Sequence, residues 1–344
     1  MSTRDPVGAR RLTAQLLAGP PARDPLAVAQ RLLAIQGQDP RGARLAIRAR
    51  SRGVSAADVD RALTEERSLL ITWLNRGTLH LIRSEDYRLL HLLTTPQLRT
   101  SSSTRLAQEG LDARDTDRGL AVIERALGTD GPLTRQDLAG RLEQAGIPTG
   151  GQALIQLLHR AGVEAIAVRG PMVGREHAYV RVDDWLGPAP ALDRDRALAE
   201  LARRYLAGHG PADERDLARW AGMALRDART GLEAIASELK TLPGGLVDLA
   251  GRRAAPAPAP RLLGAFEPLL LGWVSREPVL GEHPERVVVG GIFRGFALVG
   301  GRAVAVWRLR GTEVELEPFA PLEPPVAGAL AQDARAVREF LGLG

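Results

Sequence analysis

The chain has 344 residues, 44% of them hydrophobic and 25% charged, with a formal net charge of +5 and a pI of about 10.4. At roughly 100–200 residues per domain this length asks for two or three domains. The absence of cysteine excludes disulfides, a thiol nucleophile and any Cys-ligated metal centre. The six histidines, His80, His91, His159, His177, His209 and His283, are scattered without an HExxH-type pair, so neither a metal nor a cofactor is expected. No stretch approaches the roughly 18 apolar residues of a membrane span, and the first residues lack the apolar core of a signal peptide, so a soluble, cytoplasmic protein is expected. Lys240 is the only lysine. A basic set that is arginine but for Lys240 fits bidentate phosphate recognition and equally fits a biased genome composition, so the position of the arginines has to decide.

In chain order, "DPLAVAQRLLAIQ" places Leu26, Ala29, Leu32, Leu33 and Gln36 on or beside one helical face, with Asp24 as cap and Pro25 at the first turn. Asp39-Pro40 reads as the stop of that helix. "RGARLAIRARS" resumes as a short helix, and Ser55 caps the next, whose Val59 and Leu63 form an apolar stripe. The period then changes. "SLLITWLNRGTLHLIRSEDYRLLHLLT" predicts a strand, a turn at Asn75-Arg76-Gly77, a second strand and a helix capped by Ser84, with Trp73 in the core. Helices followed by a hairpin is the plan of a winged helix.

That plan recurs twice without sequence identity between the copies. A Thr134-capped helix ending at Gly146, a helix in "PTGGQALIQLLHRAGV" and two strands around "RGPMVGREH" form the second unit. Three helices from "RDRALAELARRYLAGHG" onward, jointed at Pro211-Ala212 and Gly222, and a short hairpin in "ELKTLPGGLVDLAG" form the third. "RRAAPAPAPRLLG" is an extended connector. Beyond it, β-branched runs separated by two Gly-Gly turns predict a small antiparallel sheet or barrel, on which a closing helix in "PVAGALAQDARAVREFLG" packs. The expected divisions are 1–120, 121–190 and 191–255 for the winged helices and 260–344 for the β-rich end. Winged helices bind nucleic acid by inserting a helix in the major groove, and they also serve as protein-interaction modules; both uses stay open at this point.

Two stretches narrow the choice. "IQGQDPRGARLAIRAR" and "WLNRGTLHLIRSEDY", followed by "LARWAGM", "FEPLLLGW" and "GGIFRGFALVGGRAVAVWR", resemble the AlkZ/YcaQ family of winged-helix DNA glycosylases over most of the chain. The resemblance implies a mainly α fold with small β-sheets, three tandem winged helices and a small C-terminal β-barrel. It implies that a Gln-x-Gln pair, here Gln36 and Gln38, is catalytic. Gly37 between them departs from the larger residue common in the family, and Asp39 lies one place beyond the position where one branch carries an acid. The implied activity is hydrolysis of the N-glycosidic bond of N7- or N3-alkylated purines in duplex DNA, bulky adducts and crosslinks included.

The chemistry suits amides. Alkylation leaves the base cationic and easily expelled, so the protein has to place a water near C1′ and face an oxocarbenium-like sugar with oxygen. A neutral glutamine is a weak base, and catalysis of this kind works by placement. Lys240, in a turn beside the third unit, is a poor Schiff-base candidate, so monofunctional hydrolysis is expected, by a monomer. His80, Arg83 and Asp39 are possible site-lining residues; each has a plain alternative, a packed histidine, a paired arginine and a helix stop. Arg41, Arg44, Arg48, Arg50 and Arg52, and Arg169 and Arg175 of the second wing, are candidate DNA contacts or a solvated basic face. A non-catalytic winged-helix regulator and a protein scaffold are the competing functions, although no dimer helix is evident.

Overall fold

The computed structural model describes residues 5–174, 176–189 and 191–343. The chain divides into two compact units. One comprises Met1–Val59, Leu198–Trp220 and Ala224–Gly344, the other Asp60–Ala197 with Ala221–Met223. Among the described residues no helix is long and apolar enough to cross a membrane.

The first unit starts with three short helices that share one device. Asp5, Asp24 and Asp39 each stand before a proline and accept from a backbone N–H three residues on, starting the helices Pro6–Ala14, Pro25–Leu32 and Pro40–Arg48. A proline costs nothing at that first position, because the N–H it lacks has no helical partner there. Asp39-Pro40 therefore opens a helix instead of closing one. The preceding helix ends earlier, at Leu32, where Leu33 turns into the left-handed region (φ 64°) and throws Ile35–Gln36 into an extended pair. Ser55 caps Ala56–Thr64 as expected, through reciprocal bonds with Asp58.

Farther along the chain, Arg194–His209, Glu214–Ala221 and Leu225–Ala234 precede a hairpin, Leu239–Thr241 with Val247–Leu249. Lys240 lies exposed on its first strand. After an irregular 252–260 come four antiparallel strands in the order Glu313–Pro318, Arg302–Arg310, Phe296–Val299, Arg261–Leu263. They form an open sheet, and no barrel closes among the described residues. The strand Arg261–Leu263 is only three residues long, and the apolar face is covered by the helix Pro324–Phe340 through Leu330, Val337 and Phe340 against Leu262, Ala297 and Trp307. With a helix as lid, the sheet has no need to curl onto itself.

In the second unit the two expected hairpins merge into one sheet. Leu69–Leu74 pairs Thr78–Arg83, Ala167–Val173 pairs Glu176–Arg181, and Ile71 opposite Arg169 joins the two pairs. Asn75 and Gly77 take positive φ in the first turn. Trp73 packs from the sheet onto Leu120, Ile123, Leu138 and Leu157 of the helices Ala113–Asp130, Arg135–Gln144 and Ala153–Val163. Thr134 forms the expected cap as a reciprocal box with Asp137. Ser84 does not cap; its hydroxyl donates to the Arg67 carbonyl, and a 3₁₀ turn Ser84–Asp86 leads into Tyr87–Thr94.

Candidate active site

Gln36 and Gln38, separated in sequence by Gly37, meet in space. The extended backbone of Ile35–Gln36 buries the Gln36 side chain, 6% exposed, and leaves Gln38 at the surface. Gln36 Nε2 donates to Gln38 Oε1. That bond fixes the direction of both amides. Gln36 Oε1 remains buried with no donor reaching it among the described residues, and the Nε2 end of Gln38 is left to donate. A buried carbonyl oxygen without a partner is costly, of order 1–3 kcal/mol, and is a place where a water or a ligand group is expected.

The loop is anchored on both sides. Before it, Ile35 is fully buried. After it, Asp39 Oδ1 accepts from Gly42 N at 2.8 Å, so this carboxylate serves the helix start. The helix Pro40–Arg48 then lies against the backbone of 264–265: a Cβ on Gly42 would stand 2.4 Å from the Ala265 carbonyl oxygen, and one on Gly264 would stand 3.1 Å from Gly42 Cα. Sequence reasoning missed this glycine contact, because the two segments are far apart in the chain.

The arginine run divides sharply. Arg50 is fully buried, ion-paired with Glu267, and it donates to Gln15 Oε1, to the Gln15 carbonyl and to the Ala46 carbonyl. As a phosphate contact it is corrected to a core ion pair: no surface of it is offered to DNA and its charge is already met. Arg48 is corrected likewise, since Asp333 takes both of its amino groups, at 2.5 and 2.8 Å. Arg44 is 7% exposed and folds back to donate to the Pro40 carbonyl. Arg41 and Arg52 are exposed.

In the second unit, His80 is 3% exposed, and burial together with the charge of Arg76 pushes it down to about 3, so the ring is neutral at pH 7. Its Nδ1 lies 2.9 Å from the Thr78 carbonyl; the proton therefore sits on Nδ1, and Nε2 is an acceptor. Thr72, directly opposite His80, has a buried hydroxyl without a partner. Arg83 is held by Asp86 at 2.8 and 3.0 Å and by Glu85, which satisfies its fork without an outside anion. Arg169 lies inside a strand, where its Nε donates to the Tyr179 hydroxyl and its guanidinium carbon lies 5.1 Å from the ring centroids of both Trp73 and Tyr179. Arg175 lies outside the described residues.

Comparison with known proteins gives one consistent result. The family model for the DNA glycosylase AlkZ-like family matches residues 29–340. The interstrand DNA cross-link repair glycosylase of Streptomyces sahachiroi is 28% identical, over 92% of this chain and 90% of that protein. The solved structure of Streptomyces sahachiroi DNA glycosylase AlkZ is similar with a TM-score of 0.77 at 24% identity, over 97% of this chain and 95% of that one.

Proposed function

This chain belongs to the AlkZ-like DNA glycosylase family, and from that premise we propose that it hydrolyses the N-glycosidic bond of N7- and N3-alkylated purines, releasing the base and leaving an abasic site without a strand break. With family membership the reading as a non-catalytic regulator falls away. The observation that carries the mechanism is the direction of the Gln36–Gln38 hydrogen bond. On this reading the two amides have different tasks. Gln36 Oε1, buried and unpartnered, accepts a hydrogen from the attacking water and turns the water's lone pair toward C1′. Gln38 holds Gln36 in that orientation through its oxygen and donates from its exposed nitrogen to a phosphate or sugar oxygen. The C1′–N bond breaks with both electrons leaving on the base, which departs neutral from its cationic state. Water oxygen bonds to C1′ and its second proton passes to solvent. Neither amide changes its protonation, so the rate derives from placement and dipole.

The helix–helix–hairpin order along the chain supports a reading as three tandem winged helices, and we propose that they work on duplex DNA as a monomer in the cytoplasm at the nucleoid. Arg41 and Arg52 are the arginines of the run that remain free to meet phosphate. The Streptomyces sahachiroi relative is named for interstrand cross-link repair, and we extend the substrate range to bulky adducts and crosslinks on that ground.

Single-turnover assays on duplexes carrying N7-methylguanine, a bulky N3-alkyladenine or an N7-linked crosslink test the proposal. Free modified base is expected by chromatography, with nicks seen only after hot alkali. Gln36→Ala is expected to slow release about a hundredfold, and Gln38→Ala less, with duplex affinity within about twofold of the parent. Intact substrate across the whole panel at excess enzyme would overturn the activity. Parent rates in both variants would move the site elsewhere.

A further inference from the structure

The first unit holds a recess, lined by none of the glutamine-loop residues, with a volume of about 510 Å³. It lies within the roughly 300–1,000 Å³ of small-molecule sites. Its walls are Leu12, Leu269, Trp273, Val279 and Val299, and its polar groups include Arg11 and Arg302. Arg11 is built in. Its guanidinium lies 4.6 Å above the Trp273 ring, its Nε donates 2.9 Å to the Pro211 carbonyl, and its Nη2 stands 3.5 Å from Asp216. Trp273 is held in turn by the bond from its Nε1 to the His209 carbonyl at 2.9 Å. With Nε and Nη2 engaged and one face on Trp273, Arg11 keeps its Nη1 group and its other face for a ligand. Arg302 differs. It is exposed at the edge of the Gly300-Gly301 turn, and no carboxylate pairs with it among the described residues.

We infer that this recess binds a planar aromatic monoanion, with the ring between the apolar walls and the Arg11 face and the anionic group on Arg302. Guanidinium planes stack on aromatic rings, and an unpaired guanidinium prefers a carboxylate. A neutral apolar ligand would leave Arg302 without a role, and a single negative charge seated on Arg302 at the edge is all that its one guanidinium can balance. None of these residues belongs to the glutamine site, so occupancy here is independent of the proposed chemistry.

The probe is 2-naphthoate, titrated into the full chain and followed by calorimetry, with the neutral 2-naphthamide as comparison. Saturable binding with one site per chain is expected, with 2-naphthamide at least about fivefold weaker. Arg302→Ala is expected to weaken naphthoate about tenfold while leaving 2-naphthamide unchanged. Val279→Trp, which fills the recess, is expected to abolish both; if that variant fails to fold, Arg302→Glu serves in its place and is expected to abolish naphthoate binding alone. No saturable binding, equal affinity for the two probes, or naphthoate affinity indifferent to Arg302→Ala would overturn the inference. Base release from N7-methylguanine duplexes by Arg302→Ala is expected at the parent rate, which separates failure of this site from failure of the glycosylase reading.

Discussion

A carboxamide is a donor at one end and an acceptor at the other, so the bond from Gln36 to Gln38 carries information that the letters Gln-x-Gln do not. The resemblance in the sequence picks out the pair; only the structure says which oxygen is left bare. A pH consequence follows at this scale. Neither amide ionises, so the chemical step is expected to be flat between about pH 6 and 9 in single-turnover assays. Gln38→Asp replaces a dipole by a carboxylate with an ordinary value near 4. Its residual activity is expected to fall as pH drops through that range, and a flat profile in this variant would remove Gln38 from contact with the reacting centre. The arginines show the opposite kind of illegibility. Side by side in sequence, Arg41, Arg48, Arg50 and Arg52 look equivalent, yet Glu267 and Asp333 lie more than two hundred positions away and claim two of them. Removing Arg50 strands a buried carboxylate, so Arg50→Ala is expected to cost roughly 3–5 kcal/mol in urea unfolding. Arg41→Ala and Arg52→Ala are expected to leave stability alone and to lower the salt slope of duplex binding by about one each.

At the scale of elements, what was legible was whatever depends on neighbours in sequence. The caps at Asp24, Ser55 and Thr134 and the turn at Asn75-Arg76-Gly77 follow from local chemistry, and all are present. Asp39-Pro40 opens a helix where the sequence pattern predicts a stop, because the same dipeptide ends one helix pattern and opens another and Leu33 has already turned the chain. The union of two hairpins through Ile71 and Arg169, and the open C-terminal sheet under its helix, are long-range pairings that no local pattern encodes. The helix Pro40–Arg48 illustrates what such contacts do for a site. Its approach to the 264–265 backbone sets where the glutamine loop ends, and Gly42 is the residue that permits it. In Gly42→Ala the new methyl cannot be accommodated without moving backbone, so the melting temperature is expected to fall, by an amount matching about 1–3 kcal/mol. Excision should fall too, since the loop moves with the helix. Unchanged melting and rate would show that the contact is loose in solution.

For the whole molecule, buried histidines contribute to the loss of stability in acid. Burial is the leading cause at each of three: His80 and His209 are pushed down to about 3 and His159 to about 4. The unfolded chain takes up these protons near pH 6.5, where the folded chain still refuses them. Unfolding is therefore favoured increasingly as pH falls from about 6.5 toward 3, and stability is restored on raising the pH through the same window. Urea midpoints measured from pH 7.5 to 4 are expected to drop steadily below 6.5. His209→Gln is expected to flatten that slope, even if it lowers the midpoint at pH 7.5, because the glutamine has no proton to gain. A slope identical to the parent would show that His209 is already accessible to solvent.

The solitary Lys240 gives the experimenter a chemical address. It stands exposed on the strand Leu239–Thr241, and no other side chain in the sequence carries a primary amine. A reagent that attacks amines, used where the α-amino group is blocked, becomes a one-position tag. A fluorophore or a surface tether installed there reports on a molecule of known orientation, with no engineered cysteine and no mixture of labelled forms.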